Sequence, residues 1–308
     1  MTSTTVAAVQ MQARPKDVDY NLSKGEWFVE EAAEKGAKLV LLPELFNVGY
    51  FIGPELFELW EPEDGRTVTW MREQAARRGA IVAGSVAERR SNRLLNTLFI
   101  AEPDGRLHRY AKRQPYKTEL AAFDPGDDES IVQTSLGRTG LIVCFDLSWA
   151  ASLLRPMVGT VDLLLMSQAS FALRTLGRLQ WWWERRRGSV FGPLVSAIGA
   201  PAVVAGMIGP MQPVTRLFSV SMFGGTWVID AQGQTLAAVP YYEEGIAVAE
   251  IVPGSIGGNP NSKTLRDPGF GRDLLDSLVR SFPNLRPRAP SRSELAMSNG
   301  RRDEIGRR

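Results

Sequence analysis

Cysteine and histidine are almost missing from this chain: one of each among 308 residues. A lone thiol excludes an intrachain disulfide, and a reducing compartment is its natural setting. The lone histidine, His108, argues against a Cys–His dyad, and no His/Cys cluster is present to hold a metal ion. Neither sign of charge dominates: 36 Lys plus Arg stand against 34 Asp plus Glu, a formal net charge of +2. That balance gives no reason to expect nucleic acid as a partner. Long apolar runs are absent too. The longest, Ala200 to Pro213, is broken by Gly and Pro and falls short of the ~18 residues of a membrane span. The N-terminus, Met-Thr-Ser-Thr-Thr-Val, lacks a basic stretch followed by an apolar one, so no secretory signal is expected. A soluble, cytoplasmic protein is the expectation.

What is present alternates between strand-like and helix-like segments. TVAAVQMQ (Thr5–Gln12), TGLIVC (Thr139–Cys144), VDLLLM (Val161–Met166) and Pro201–Met207 read as strands, AIVAGSV (Ala80–Val86) as a buried strand and KLVLLP (Lys38–Pro43) as a strand buried on both faces. Asp17–Gly36 and Asp64–Gly79 carry helical spacing, and a short helix is expected over Ala150–Val158, stopped near Pro156. Pro103-Asp104-Gly105 joins Leu95–Glu102 to Gly105–Tyr110 as a hairpin. A second hairpin joins Phe223–Ala231 to Thr235–Val239, and Ile246–Ile251 pairs after it. Leu176–Val190, with three successive tryptophans, is a helix candidate. The alternation predicts an α/β fold with mixed sheets covered by helices. One folded domain is expected over 1–283. Residues 284–308, rich in Pro, Arg and Ser, lack the apolar surface to offset ordering entropy and are expected to form a flexible tail.

Four residues stand out at element ends. Cys144 alone reads as a small core hydrophobe, but it closes a buried strand where a helix begins. Side chains at carboxyl ends of strands face the ligand crevice of α/β sheets, and amides at a helix start favour a thiolate and could hold an oxyanion. Glu44 follows Leu42-Pro43 and precedes Leu45-Phe46. It reads either as a solvated strand end or as a desolvated carboxylate with a raised pKa, suited to general base work. Lys112 sits in a basic stretch where lysines are usually solvated. Glu119 opens a loop turning at Pro125-Gly126.

Together these members resemble the nitrilase superfamily of carbon–nitrogen hydrolases. KLVLLPELF, RYAKRQPYKTELAAFDPGDD and GLIVCFDLSWA look like its three catalytic blocks. VDLLLMSQASF resembles the strand after its nucleophile, and FGGTWVIDAQGQTLAAVPYYEEGIAVAEI its closing hairpin and strand. The likeness runs over about residues 4–252. It implies a four-layer α-β-β-α sandwich with two mixed sheets, and assembly into a homodimer or higher homo-oligomer. It makes Cys144 the nucleophile, Glu44 the general base, Lys112 the cation facing the tetrahedral intermediate and Glu119 a second carboxylate beside the lysine. No cofactor is expected. Such a site attacks a poor electrophile with a deprotonated sulfur and meets the growing oxyanion with positive charge.

Three positions depart from the family pattern. Gln114 stands where members commonly carry His, the stretch from Lys112 to Glu119 is short, and Ala197-Ile198-Gly199-Ala200 replaces a Glu-Asn ending. The Cys144-Phe145-Asp146 block resembles amidases and carbamoylases rather than nitrilases, so a small-molecule amide or carbamoyl substrate is expected over a nitrile. Acyl transfer from the same thioester and a non-catalytic binding role remain alternatives. Phe145, Asp146, Trp149 and Arg174 are the candidate substrate-binding residues, the arginine for an acidic group.

Overall fold

The computed structural model describes residues 2–53, 55–116, 119–173, 191–210 and 220–265. The helix candidate over Leu176–Val190, Arg174 and the boundary at 283/284 lie outside them. The first half of the chain builds β1 (Thr4–Gln12), α1 (Val18–Glu34), β2 (Leu39–Leu41), α2 (Leu56–Leu59), α3 (Arg66–Arg78), β3 (Ile81–Arg90), β4 (Arg93–Ala101) and β5 (Leu107–Ala111). The second half builds β6 (Ile131–Thr134), β7 (Gly137–Val143), α4 (Ala150–Leu153), β8 (Leu163–Gln168), β9 (Phe171–Leu173) and β10 (Ala202–Pro210), followed by β11 (Val220–Phe223), β12 (Thr226–Ile229), β13 (Thr235–Val239) and β14 (Gly245–Ile251).

The hydrogen-bonded strand order is β5-β4-β3-β2-β1-β10-β8-β7-β6. Its middle, from β3 to β7, is parallel, and the outer pairs β3–β4, β4–β5 and β6–β7 are antiparallel. The expected mixed α/β fold is therefore present. The two halves meet through a short parallel contact in which Gln10, Met11 and Gln12 of β1 pair with Gly206, Met207 and Ile208 of β10. β14 also pairs with β1, antiparallel from Thr4↔Ile251 to Gln10↔Gly245. Elsewhere the two halves face one another through side chains. Alternation along β1 shows how. Val6 and Ala8 join Leu39, Leu41, Ile81 and Ile100 against Leu141, Leu163, Leu165 and Val203 of the second half. Ala7, Val9 and Met11 point the other way, into the core with Leu22, Phe28 and Val29 of α1 and Val68, Met71 and Ala75 of α3. Leu153 of α4 and Leu194, Val195 and Ile198 of the helical residues 191–198 pack with the second half. Helices, sheet, sheet and helices follow in that order.

Local chemistry explains most element ends. Asp17 caps α1 by accepting from the Tyr20 amide, and Gly79 ends α3 in the left-handed conformation, φ +59°. Of the expected strand Phe223–Ala231, Thr226–Ile229 forms β12, while Phe223 ends the separate β11. Gly224 and Gly225 both take positive φ, and a Cβ on Gly224 would meet Gln10 Oε1 at 2.2 Å. The chain turns there so that β11 pairs with β9 and β10 while β12 pairs with β10 and β13. The helix expected over Ala150–Val158 divides into α4 and a 3₁₀ turn at Arg155–Met157, because proline at its second position cannot continue an α-helical ladder. Strands β6 and β9 are too short to have given a periodic signal.

Candidate active site

Glu44, Lys112 and Cys144 each stand just past the carboxyl end of a strand: β2, β5 and β7. The pairings make those three strands run the same way, so their ends open on one side of the sandwich. Lys112 Nζ lies 2.7 Å from Glu44 Oε1 and 2.7 Å from Glu119 Oε2, and all three side chains are buried. The lysine that reads as solvated in its basic stretch is therefore sealed inside. Glu119 begins a 3₁₀ turn and also accepts from the Tyr116 amide.

A polar relay holds this triad. The Leu45 amide donates to Ser85 Oγ at 3.0 Å, and that hydroxyl donates to Asn96 Oδ1. Asn96 Nδ2 then donates to Glu44 Oε1 at 2.8 Å and to Glu119 Oε1 at 3.3 Å. The Lys112 amide donates to the Asn96 carbonyl at 2.8 Å. Across the sandwich, Ser167 Oγ on β8 donates to the Leu42 carbonyl at 3.1 Å, tying the Glu44 segment to the second sheet. Asn96 and Ser85 escaped the sequence reading, although a polar residue inside the apolar run Leu94–Ala101 was the available signal.

Glu44 Oε1 accepts from both Lys112 and Asn96, while its Oε2 is buried with no partner. Burial pushes the Glu44 carboxyl up, Lys112 opposes, and the outcome is about 7. For Lys112, burial works against the charge, but Glu119 and Glu44 outweigh it and hold the ammonium form well above the usual lysine range. The expectation of a thiol favoured as thiolate is corrected. Burial and then Glu44 push the Cys144 thiol up, and Lys112 and the Ala169 amide do not offset them. These influences favour the thiol form over the thiolate at Cys144. Cys144 itself adopts φ +44°, a left-handed conformation that costs a non-glycine residue about 1–2 kcal/mol. It opens a 3₁₀ turn over Cys144–Trp149 rather than an α-helix.

Around this cluster lie aromatic groups. Tyr116 packs edge-on to Phe145 at 5.0 Å and to Phe171 at 5.6 Å between ring centres. Tyr50, missed in the sequence, is buried with its hydroxyl under the electrostatic influence of Glu119, Glu44 and Cys144, and with burial these hold its pKa well above the usual range. Of the candidate substrate residues, Phe145 is half-buried beside Cys144. Asp146 is fully buried, with Oδ1 accepting from the Gln114 amide and Oδ2 from the Tyr110 hydroxyl and the Val143 amide. The Trp149 side chain and all of Arg174 lie outside the described residues.

Residues 5–260 match the family model for carbon-nitrogen hydrolases. An omega-amidase of Homo sapiens is 31% identical over 214 residues, 66% of this chain and 76% of its own length. A chloroplastic omega-amidase of Arabidopsis thaliana is 29% identical over 76% of this chain, and a nitrilase of Pyrococcus abyssi 33% over 46%. The chain spans 64% and 55% of the lengths of those last two relatives. Among solved structures, a carbon-nitrogen hydrolase from Helicobacter pylori superposes with a TM-score of 0.71 at 21% identity, covering 93% of this chain and 95% of that one. An amidase from Nesterenkonia superposes at 0.68 and 24% identity, covering 89% and 96%. These superpositions carry the fold, and the family match extends over nearly all of the chain: it belongs to the carbon-nitrogen hydrolase family.

Proposed function

We propose that the protein hydrolyses a linear amide of a small molecule through a thioester on Cys144. One observation carries this reading: a buried carboxylate at a pKa of about 7 is pinned through one oxygen by an ammonium group and leaves the other without a partner. That oxygen is the free acceptor for a proton near the thiol. In the reaction, Glu44 takes the Cys144 proton as sulfur bonds to the amide carbon. Lys112 and the Phe145 amide meet the oxyanion. Glu44 then hands the proton to the departing amine, the carbon–nitrogen bond breaks, and the thioester remains. Water enters, gives a proton to Glu44 and attacks the thioester, releasing the acid and restoring the thiol.

Glu119 keeps Lys112 charged and oriented, since the ammonium group has a carboxylate on either side. The amide reading over a nitrile draws on relatives named omega-amidase and 2-oxoglutaramate amidase. The test is ammonia release from a panel of linear amides, N-carbamoyl compounds and nitriles, by the wild type and by Cys144→Ala. Amide turnover that falls by at least about 10⁴-fold in the variant is expected. Full activity in Cys144→Ala would sink the reading, and turnover confined to nitriles would correct it. Added hydroxylamine, by capturing the thioester as a hydroxamate, separates an acyl-enzyme path from direct hydrolysis.

A further inference from the structure

We infer that Asp146 is a positioning residue that sets the distance between Cys144 and Lys112. The inference rests on the hydrolase reading, in which that sulfur and that ammonium group act on one carbonyl. The need for such a device follows from topology. Lys112 leaves β5, at one end of the strand order, and Cys144 leaves β7, near the other end. Seven pairings separate the two strands, and the two halves join through β1, which pairs with β10 and β14. A backbone ladder that long does not fix two side chains to within a few tenths of an ångström. A direct tie across the gap does.

Asp146 provides that tie. Its Oδ2 accepts from the Val143 amide at 3.0 Å, the residue before the nucleophile, and from the Tyr110 hydroxyl at 2.9 Å. Its Oδ1 accepts from the Gln114 amide at 2.9 Å. Tyr110 and Gln114 lie two residues to either side of Lys112, so one carboxylate holds the segment that carries the cation and the turn that carries the sulfur. The turn needs holding, because Cys144 sits at a positive φ. Asp146 is fully buried, and both its oxygens already serve protein donors, which leaves it poorly placed to receive a substrate group. Lys112 also acts on it directly, partly countering the rise that burial causes in its pKa.

An asparagine at 146 cannot repeat the pattern. If its oxygen faces Gln114, its amide nitrogen meets the Val143 N–H; if reversed, it meets the Gln114 N–H. Either way a buried backbone donor loses its acceptor. Asp146→Asn is expected to lower kcat by ~10–100-fold with KM within ~3-fold of wild type, measured on the amide the wild type turns over fastest. Tyr110→Phe, which keeps both amide contacts, is expected to lower kcat by ~3–10-fold in the same manner. A second readout needs no substrate: the pH profile of Cys144 alkylation by iodoacetamide, which reports the electrostatic setting of the sulfur and moves if Lys112 is displaced. Both variants are expected to shift that profile. A kcat near wild type with KM raised tenfold would place Asp146 on the substrate and overturn the inference. Wild-type kinetics and an unmoved profile in both variants would overturn it as well. If Asp146→Asn does not fold, Tyr110→Phe decides by the same two readouts. If the wild type cleaves no amide, the hydrolysis reading fails while the alkylation profile still judges the tie.

Discussion

Glu44 and Glu102 both have side chains closed off from solvent, each within reach of a cation, and one follows β2 as the other follows β4. Their charges fare differently. For both, burial is the largest influence and raises the pKa, but Glu44 ends near 7 while Glu102 ends below the usual carboxylate range. Glu102 Oε2 accepts from the Ser135 amide at 2.8 Å and from Arg106 at 3.3 Å, and its Oε1 is 2.8 Å from His108 Nε2. It also lies under a thin cover, since Arg106 is 48% exposed. Glu44 sits deeper, shares its cation with Glu119 and has one oxygen unserved. The lesson is that the donors supplied and the depth of cover, rather than closure alone, decide which way the pKa of an enclosed carboxylate moves.

The largest expected effect separates the two in activity. Glu44→Gln should lower kcat on the preferred amide by ~10²–10⁴-fold, because it removes the proposed base and keeps the shape. Glu102→Gln should leave kcat within about two-fold; a matching loss there would break the comparison. Next comes stability. Lys112→Met leaves Glu44 and Glu119 facing each other without their cation, and urea denaturation should show a loss of about 3–5 kcal/mol. A loss below about 1 kcal/mol would mean that the pair is not buried as described.

Titration sharpens the contrast further. The proposed reaction needs Glu44 ionised, so kcat/KM should climb about tenfold from pH 6 to pH 8 around an apparent pKa near 7, and a flat profile would remove Glu44 as base. Stability runs oppositely at the two sites. The raised Glu44 pKa withdraws stability as pH climbs from about 4.5 to 7, whereas the lowered Glu102 pKa adds stability above about 4.5 that is lost as pH falls through its folded value. Denaturation at pH 5 and pH 7 should therefore show Glu44→Gln gaining on the wild type as pH rises. The smallest effect falls on Glu102 itself. Glu102→Gln should cost about 1–2 kcal/mol in thermal unfolding by weakening its hydrogen bonds, with activity retained.

How far the sequence carried this description varies by residue. The strands ending at Leu41 and Val143 were legible because runs buried on both faces leave a continuous apolar signal. The two hairpins were legible from their turn residues. The break at Gly224–Gly225 was not, since its cause is Gln10, more than two hundred residues away. Glu44 could be suspected as desolvated from its apolar flanks. Lys112 could not, because its neighbours Arg109 and Arg113 suggest a solvated face and only a carboxylate on each side explains its burial. Asn96 was marked only as a polar residue inside an apolar run, and Ser85 and Tyr50 carried no local mark of their roles.

By itself the chain determined which segments are buried, where strands end and which residue types stand at those ends, because burial and turn preference are local properties of a few neighbouring side chains. The tertiary structure alone decided that three such ends open on the same side, that burial pushes the Cys144 thiol up, and that one closed-off glutamate is pushed up while another is held low. Those outcomes depend on distances and on donors contributed by remote strands, and a linear pattern holds no information about either.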